Sequence, residues 1–353
     1  MKRKKAIIKD TIISLIPTLN SDEIEEVAQV VELSQFTFHL DKLQKQIREA
    51  RYSEGVFICP TCHGTHIVKN GKKKGVQRYM CRGCKKSFSN QTATPTTRSK
   101  KSPDIWLKYI KCMMLGYSIR KAAVECEINI ATSFFWRHKI LDALFSAMGV
   151  GSVDGLAEGD ETFFRVNKKG NRTKKRSYKK GVSVGPTKPK VKIKKKRGLS
   201  DQQVNVGTAL DRLGNLRIGL ICKGKLNHQS LKRFYTGHVA EGMTLCTDSA
   251  QGYKKLSKEL NFTLIQIESG KPKRDIYHIQ HVNSLHGRLK TFMVRFRGVS
   301  TKHLQNYLNW FKFIELFKEE RESKKVEKAF VLSQAAYTDC SIKAIKNREP
   351  AFV

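Results

Sequence analysis

Acidic residues are scarce in this chain and long apolar runs are missing. Of 353 residues, 31 are Asp or Glu against 68 Lys or Arg, a formal net charge of +37. That excess is too large to be neutral surface decoration and implies a polyanionic partner, nucleic acid ahead of an anionic membrane. No run of about 18 or more apolar residues occurs, so no membrane span is expected. The opening Met1-Lys2-Arg3-Lys4-Lys5 is basic, but Ala6 to Leu19 is interrupted by Lys9, Asp10 and Pro17. With no small-residue cleavage site there, no secretory signal is expected. A disulfide framework is lacking as well. Four of the nine cysteines stand in paired spacing and five (Cys112, Cys126, Cys222, Cys246, Cys340) are scattered, which suits a reducing cytosol and a metal site. A cytoplasmic, nucleoid-associated protein is the expectation.

The length allows two or three domains and at least one sizeable core. Residues 1–55 read as a helical N-terminal segment. Ser21-Asp22-Glu23 supplies an N-cap and an acidic first turn ahead of Val27, Val30, Val31 and Leu33. No chemistry is assigned to it; a helical lead-in or an oligomerisation contact suffices. Residues 56–92 carry Cys59-Pro60-Thr61-Cys62 and Cys81-Arg82-Gly83-Cys84, two C-x2-C knuckles separated by eighteen residues. Four thiolates so spaced can close one tetrahedral Zn²⁺. About thirty-five residues cannot fold on a core of their own, so a structural zinc would supply the missing stability. Unlinked thiol pairs or a redox CxxC are the alternatives.

Residues 93–150 begin with a polar linker. A helix over Asp104–Leu115, a short helix over Ser118–Cys126 and another over Ile130–Phe145 follow. The Ala122-Ala123 pair would let two helices cross closely, as a helix-turn-helix requires. In that arrangement Thr132, Ser133, Arg137 and Lys139 would face DNA, while Phe135, Trp136 and Ile140 pack inward. A helical hairpin without DNA contact is the alternative.

From Gly151 the pattern changes to strands and helices, and residues 151–325 are expected to form one α/β core. Leu156–Val166 is a strand with Glu158, Asp160 and Thr162 on one face. The basic loop placed at 165–203 holds sixteen Lys or Arg and no acid between residues 165 and 200, a block that would lie on phosphates. Strands at Val204–Leu210 and Leu216–Ile221 are joined by the hairpin signal Asp211-Arg212-Leu213-Gly214-Asn215. A helix (Gln229–Val239), a strand (Met243–Asp248), a helix (Tyr253–Leu260) and a strand (Phe262–Ile267) complete a sheet with an antiparallel and a parallel half. A long helix then carries two stripes: Val282, Leu285, Leu289 and Phe292 on a buried face, and Asn283, His286 and Lys290 beside it. Residues 326–353 are expected as a C-terminal tail.

Two acids from different strands, Asp160 and Asp248, together with the Asn283 amide oxygen make an all-oxygen site suited to Mg²⁺ or Mn²⁺. Lys290 would hold a phosphate oxygen. A strand-end Asp that merely caps a turn or pairs with a cation is the plainer alternative for either acid.

Glu158-Gly159-Asp160-Glu161-Thr162-Phe163-Phe164, Thr247-Asp248-Ser249-Ala250-Gln251-Gly252-Tyr253 and His281-Val282-Asn283-Ser284-Leu285-His286 through Lys290 resemble the catalytic blocks of bacterial insertion-sequence transposases of the DDE superfamily. The similarity is to the branch with a zinc ribbon and a helix-turn-helix before a ribonuclease-H-like core. Gly298 to Leu308 resembles that branch's post-catalytic helix, and the resemblance runs from about Cys59 to Phe317. It implies that Asp160 and Asp248 bind catalytic metal, and that Asn283 stands where the superfamily usually has a third acid. Asn binds only through its carbonyl, so either the site holds a second ion more weakly or a neighbour, Glu161, Asp275 or His286, compensates. The implied activity is phosphodiester hydrolysis and strand transfer on double-stranded DNA by a homo-oligomer holding two element ends. The rivals are a degenerate zinc-dependent DNA-binding protein derived from a transposase, and a ribonuclease-H-like nuclease without strand transfer.

Overall fold

In a computed structural model of the protein, residues 11, 14–38, 40–51, 58–73, 76–170, 202–248, 251–268 and 275–353 are described. Most of the basic loop expected at 165–203 lies outside them. They form two compact units: Met1–Asn129 with Glu322–Tyr337, and Ile130–Arg321 with Thr338–Val353. The division falls between the two helices expected as a helix-turn-helix, and each is described with its own unit.

The first unit opens with helices α1 (Ser21–Phe38) and α2 (Leu40–Arg51). The apolar residues Ile24, Val27, Val30 and Val31 of α1 are exposed. Strands β1 (Ile67–Lys73), β2 (Val76–Cys81) and β3 (Ser87–Ser89) then make a three-stranded antiparallel sheet. Tyr79, Phe88 and two of the cysteines form its small core. Helix α3 (Pro103–Met114) starts with Pro at its first position, where the missing N–H costs nothing. The N-cap hydroxyl of α4 (Ile119–Glu125), on Ser118, accepts from Lys121 N–H. The residues that complete this unit come from far along the chain. Part of the expected tail is helical: α10 (Glu322–Ala335) packs against α2 and α3. The buried Arg51 guanidinium lies 4.2 Å from the Tyr337 ring centroid and donates to the Asn90 and Thr92 carbonyls.

The second unit is built on β4 (Leu156–Arg165), β5 (Gln203–Asp211), β6 (Leu216–Lys223), β7 (Thr244–Thr247) and β8 (Thr263–Gln266). Their spatial order is β6-β5-β4-β7-β8, antiparallel from β6 to β4 and parallel from β4 to β8. The hairpin turn between β5 and β6 is held by the Asp211 carboxylate, which accepts from the N–H groups of Leu213 and Asn215, and by Gly214 at φ +87°. Helices α6 (His228–Tyr235) and α7 (Gly252–Glu259) cover one face, where Ala157, Ala209, Leu231, Phe234, Tyr235, Leu245, Tyr253 and Leu256 make the core. Helix α8 (Gln280–Val294) packs against β4 and β5, with the expected stripe Val282, Leu285, Leu289 and Phe292 buried.

Edge strand β6 is covered rather than left open. Leu220 N–H donates to Gln305 on α9 (Thr301–Leu316), and Leu220 O accepts from Val353 N–H. Helix α9 also packs on α5 (Ile130–Met148), as does the short α11 (Ile342–Asn347), so the rest of the expected tail is ordered too. Among the described residues, no helix is long and apolar enough to cross a membrane.

Between α5 and α9 the rings of His138 and His303 stack at 4.0 Å between centroids. Burial holds the His303 ring down at about 4, with the charges of Arg348 and Lys302 adding to it, and burial drives His138 well below the usual range. Both rings are therefore neutral in the folded unit, whereas unfolded histidines begin to charge near pH 6.5. Stability is complete above that pH and is lost as pH falls towards 4, because only the unfolded chain takes up the protons. The urea midpoint of this unit should fall steadily from pH 7 to pH 4.5, and His303→Gln should flatten that fall. An equally steep fall in the variant would refute the assignment.

Candidate functional site

Strand β4 carries the site on one of its faces. Alternation puts Glu158, Asp160 and Thr162 towards α8 and Ala157, Gly159 and Glu161 towards α6 and α7. The second face is tightly filled: a Cβ on Gly159 would stand 2.7 Å from the Tyr235 hydroxyl.

The parallel register Leu156↔Thr244, Ala157↔Leu245, Glu158↔Cys246 fixes what stands beside Asp160. Two residues further along both strands it is Asp248, one residue past the end of β7. Residues paired in register share a face, so the register, continued that far, would put the two aspartates on the same side. The Asp248 carbonyl accepts from Thr247 Oγ1 at 2.9 Å and Gln266 Nε2 at 3.2 Å. Asp248 itself is exposed.

On the other flank, Asp160 pairs with Thr208 of β5. The Thr208 hydroxyl donates to Asp160 O at 2.9 Å and lies 2.5 Å from His286 Nε2. Its single proton is thus spent on a carbonyl, so it must accept from Nε2–H. In the neutral ring this leaves Nδ1 bare, 3.3 Å from Asp160 Oδ2. Two acceptors facing one another at that distance suit a shared cation, and the donor set fits Mg²⁺ or Mn²⁺ supported by one imidazole.

Asn283 and Lys290 sit one turn either side of His286 and are exposed. The structure thus brings His286 against Asp160 and leaves the other two on the open part of the same helical stripe. Of the residues expected to compensate for Asn283, His286 lies against Asp160. Asp275 is exposed in the turn before α8. Glu161 faces the opposite side of the sheet, where its Oε1 accepts from Tyr253 Oη at 2.6 Å. Burial raises the Glu161 carboxyl to about 7, against the pull of the Tyr253 hydroxyl, and the nearby charges of Asp160 and Asp248 add to the rise.

The residues expected to face DNA are placed differently. Ser133 and Arg137 are buried at 0% and 4% exposure, and the Arg137 side chain is hydrogen-bonded to Tyr307 of α9. Helix α5 is covered on more than one face, so neither residue can reach a groove. Thr132 and Lys139 are half-buried.

Sequence reasoning gave no role to Glu158, although its place two residues before Asp160 marked it. Its carboxylate is 1% exposed and meets Arg212 Nη1 at 3.0 Å, His278 Nδ1 at 3.1 Å and His281 Nδ1 at 2.8 Å. The trio Glu158, His278 and His281 has the spacing of a metal site. Arg212 Nη1, however, also lies 2.6 Å from His281 Nδ1. The guanidinium already holds the cationic position, and this trio does not fit an ion beside it.

The cysteines do fit one. Cys59, Cys62, Cys81 and Cys84 converge, with sulfurs 3.6 Å apart in the pairs Cys59–Cys84 and Cys62–Cys81. Zn–S bonds of about 2.3 Å in a tetrahedron put sulfurs about 3.8 Å apart. Burial works against the Cys59 thiolate, yet the Cys62 and Thr61 N–H groups and the neighbouring thiols bring it down to about 6.

Residues 152–315 match the model of a family described as the ISXO2-like transposase domain. The chain is 23% identical over 269 residues to an uncharacterised protein in the transposable element ISH50 of Halobacterium salinarum, covering 75% of this chain and 87% of that protein. Solved structures of Mos1 also match. A pre-cleavage transpososome is 11% identical, covering 66% of this chain and 79% of that one, with a TM-score of 0.24. A strand transfer complex is 13% identical, covering 69% and 82%, with a TM-score of 0.27. Likeness at that level carries no structural argument, and the fold rests on the strand order itself.

Full-length protein should bind one Zn²⁺ through the four thiolates. Cys59→Ser with Cys62→Ser should abolish that binding and melt the three-stranded sheet, read by zinc content and by amide exchange over residues 67–89. Unchanged zinc content in the double variant would exclude the site.

Proposed function

We propose that the chain is a DNA transposase whose second unit is a ribonuclease-H-like catalytic core. The observations that support this reading are the His286–Asp160 contact and the parallel register of β4 and β7, which, continued two residues, would bring Asp248 beside Asp160 on the same face. Asp160 and Asp248 would hold Mg²⁺ or Mn²⁺, with His286 Nδ1 or the Asn283 carbonyl as the third ligand. Bound there, such ions would polarise the phosphate and make a water or a 3′-hydroxyl a competent nucleophile.

The chain's own residues supply the rest. Thr208 fixes the His286 ring by accepting its Nε2 proton. Lys290, one turn beyond His286, holds a non-bridging phosphate oxygen as a point charge. The basic segment 165–203 follows β4 directly and would lie along the flanking duplex, where its contacts carry no sequence preference and weaken with salt. End recognition would fall to the zinc ribbon and the helices after it, with Thr132 and Lys139 the remaining candidates on α5. The exposed apolar stripe of α1 suits self-association, and two element ends would need at least two copies.

The test is nicking of terminal-repeat DNA with Mg²⁺ or Mn²⁺. Asp160→Ala and Asp248→Ala should each lower the rate by about a hundred- to a thousandfold, the order expected when charge stabilisation of a transition state is removed, with gel-shift binding retained. Nicking that survives in both variants would defeat the assignment.

A further inference from the structure

We propose that Glu158 is a positioning residue that fixes the start and the register of α8 along β4, and thereby where His286, Asn283 and Lys290 stand relative to Asp160. The inference rests on the reading of that face as the metal-binding site.

A carboxylate in the middle of a sheet at 1% exposure must be fully satisfied. Glu158 Oε2 accepts the backbone N–H groups of His281 at 2.9 Å and Val282 at 3.1 Å, both in the first turn of α8. Those amides have no acceptor within their own helix. The residue at the N-cap is Ile279, whose side chain cannot serve. Glu158 thus supplies from a strand the cap that the local sequence lacks, and its charge complements the positive end of the helix dipole. Oε1 is occupied by Arg212, which reaches back with its other nitrogen to Ile276 O at 3.2 Å. One carboxylate thus ties together β4, the β5–β6 turn and the approach to α8.

Geometry connects this clamp to the metal ligands. Glu158 and Asp160 are two residues apart, about 6.6 Å along a strand. Val282 and His286 are four residues apart, about 6 Å along a helix. Strand and helix therefore run in step. Pinning Val282 at Glu158 delivers His286 to Asp160. A slip of one residue would turn the helix by about 100° and swing the imidazole off the carboxylate.

The test uses the full chain and two readouts, amide hydrogen exchange and direct Mn²⁺ binding followed by the electron-spin signal of the free ion. Glu158→Gln turns an amide N–H₂ or a weaker acceptor towards the helix. Exchange over residues 280–286 should speed up about ten- to a hundredfold, as expected for loss of hydrogen bonds to a charged acceptor. Exchange in α6 and α7 should not change. Mn²⁺ affinity should fall about tenfold, although Glu158 is not a ligand. Asp160→Asn should lower Mn²⁺ affinity while leaving the exchange of residues 280–286 as it is. If Glu158→Gln does not fold, Glu158→Asp, whose shorter carboxylate draws back from both amides, should give the same two changes at smaller size. Unaltered exchange overturns the proposal, and so does faster exchange with unaltered Mn²⁺ affinity, which would make Glu158 a cap and nothing more. Both changes occurring in a protein whose wild type never nicks DNA would defeat the transposase reading and sustain this one.

Discussion

The parallel pairing of β4 with β7 is the constraint on which the site depends. Side chains alternate with a period of two, so a slip of one residue would send Asp160 and Asp248 to opposite faces. Three in-register pairs, Leu156↔Thr244 to Glu158↔Cys246, exclude that slip. What holds the register is the packing of the other face. Ala157 and Leu245 lie in the core under α6 and α7, and Gly159 has room for no side chain against Tyr235 and Leu245. The helices on one side of the sheet thus decide what the acids do on the other.

Electrostatics explains why that strand is unusual. A chain with a net charge of +37 places Glu158, Asp160 and Glu161 within four residues and sets Asp248 beside them. Each is relieved differently. Glu158 is met by Arg212 and the amides of α8. Glu161 is raised to about 7 by burial, with the neighbouring aspartates adding to it. Asp160 faces His286, and Asp248 opens to solvent. Adjacent carboxylates in one strand thus acquire different protonation behaviour from what surrounds them.

Much of this was legible in the sequence, for identifiable reasons. Two-residue alternation and turn residues set the five strands and their order of appearance, and the CxxC spacing marked the four thiolates. The i, i+3, i+7 stripe placed Asn283, His286 and Lys290 on one helix. Other features were not legible because they depend on contacts between distant residues. The 123 positions separating Glu158 from His281 leave no local trace of their hydrogen bond. His286 read as a member of a polar row, and its contacts with Thr208 and Asp160, both on strands far away in sequence, left no local trace. Ser133 and Arg137 looked like an outward face because a helical period alone cannot reveal that a polar stripe is covered. Residues 326–353 looked like a tail because nothing near them in sequence shows which elements their apolar side chains meet.

The path of the chain has a consequence for the order in which the molecule can be made. The first unit takes its last helix, α10, from residues that follow almost the whole of the second. Domains generally fold as they leave the ribosome, N-terminal ones first. Here the N-terminal unit must wait, with Arg51 lacking the Tyr337 ring and α2 and α3 lacking their cover, until residues 130–337 have been added. The four-cysteine unit is therefore completed late in synthesis, after nearly all of the acid-bearing sheet unit has been translated.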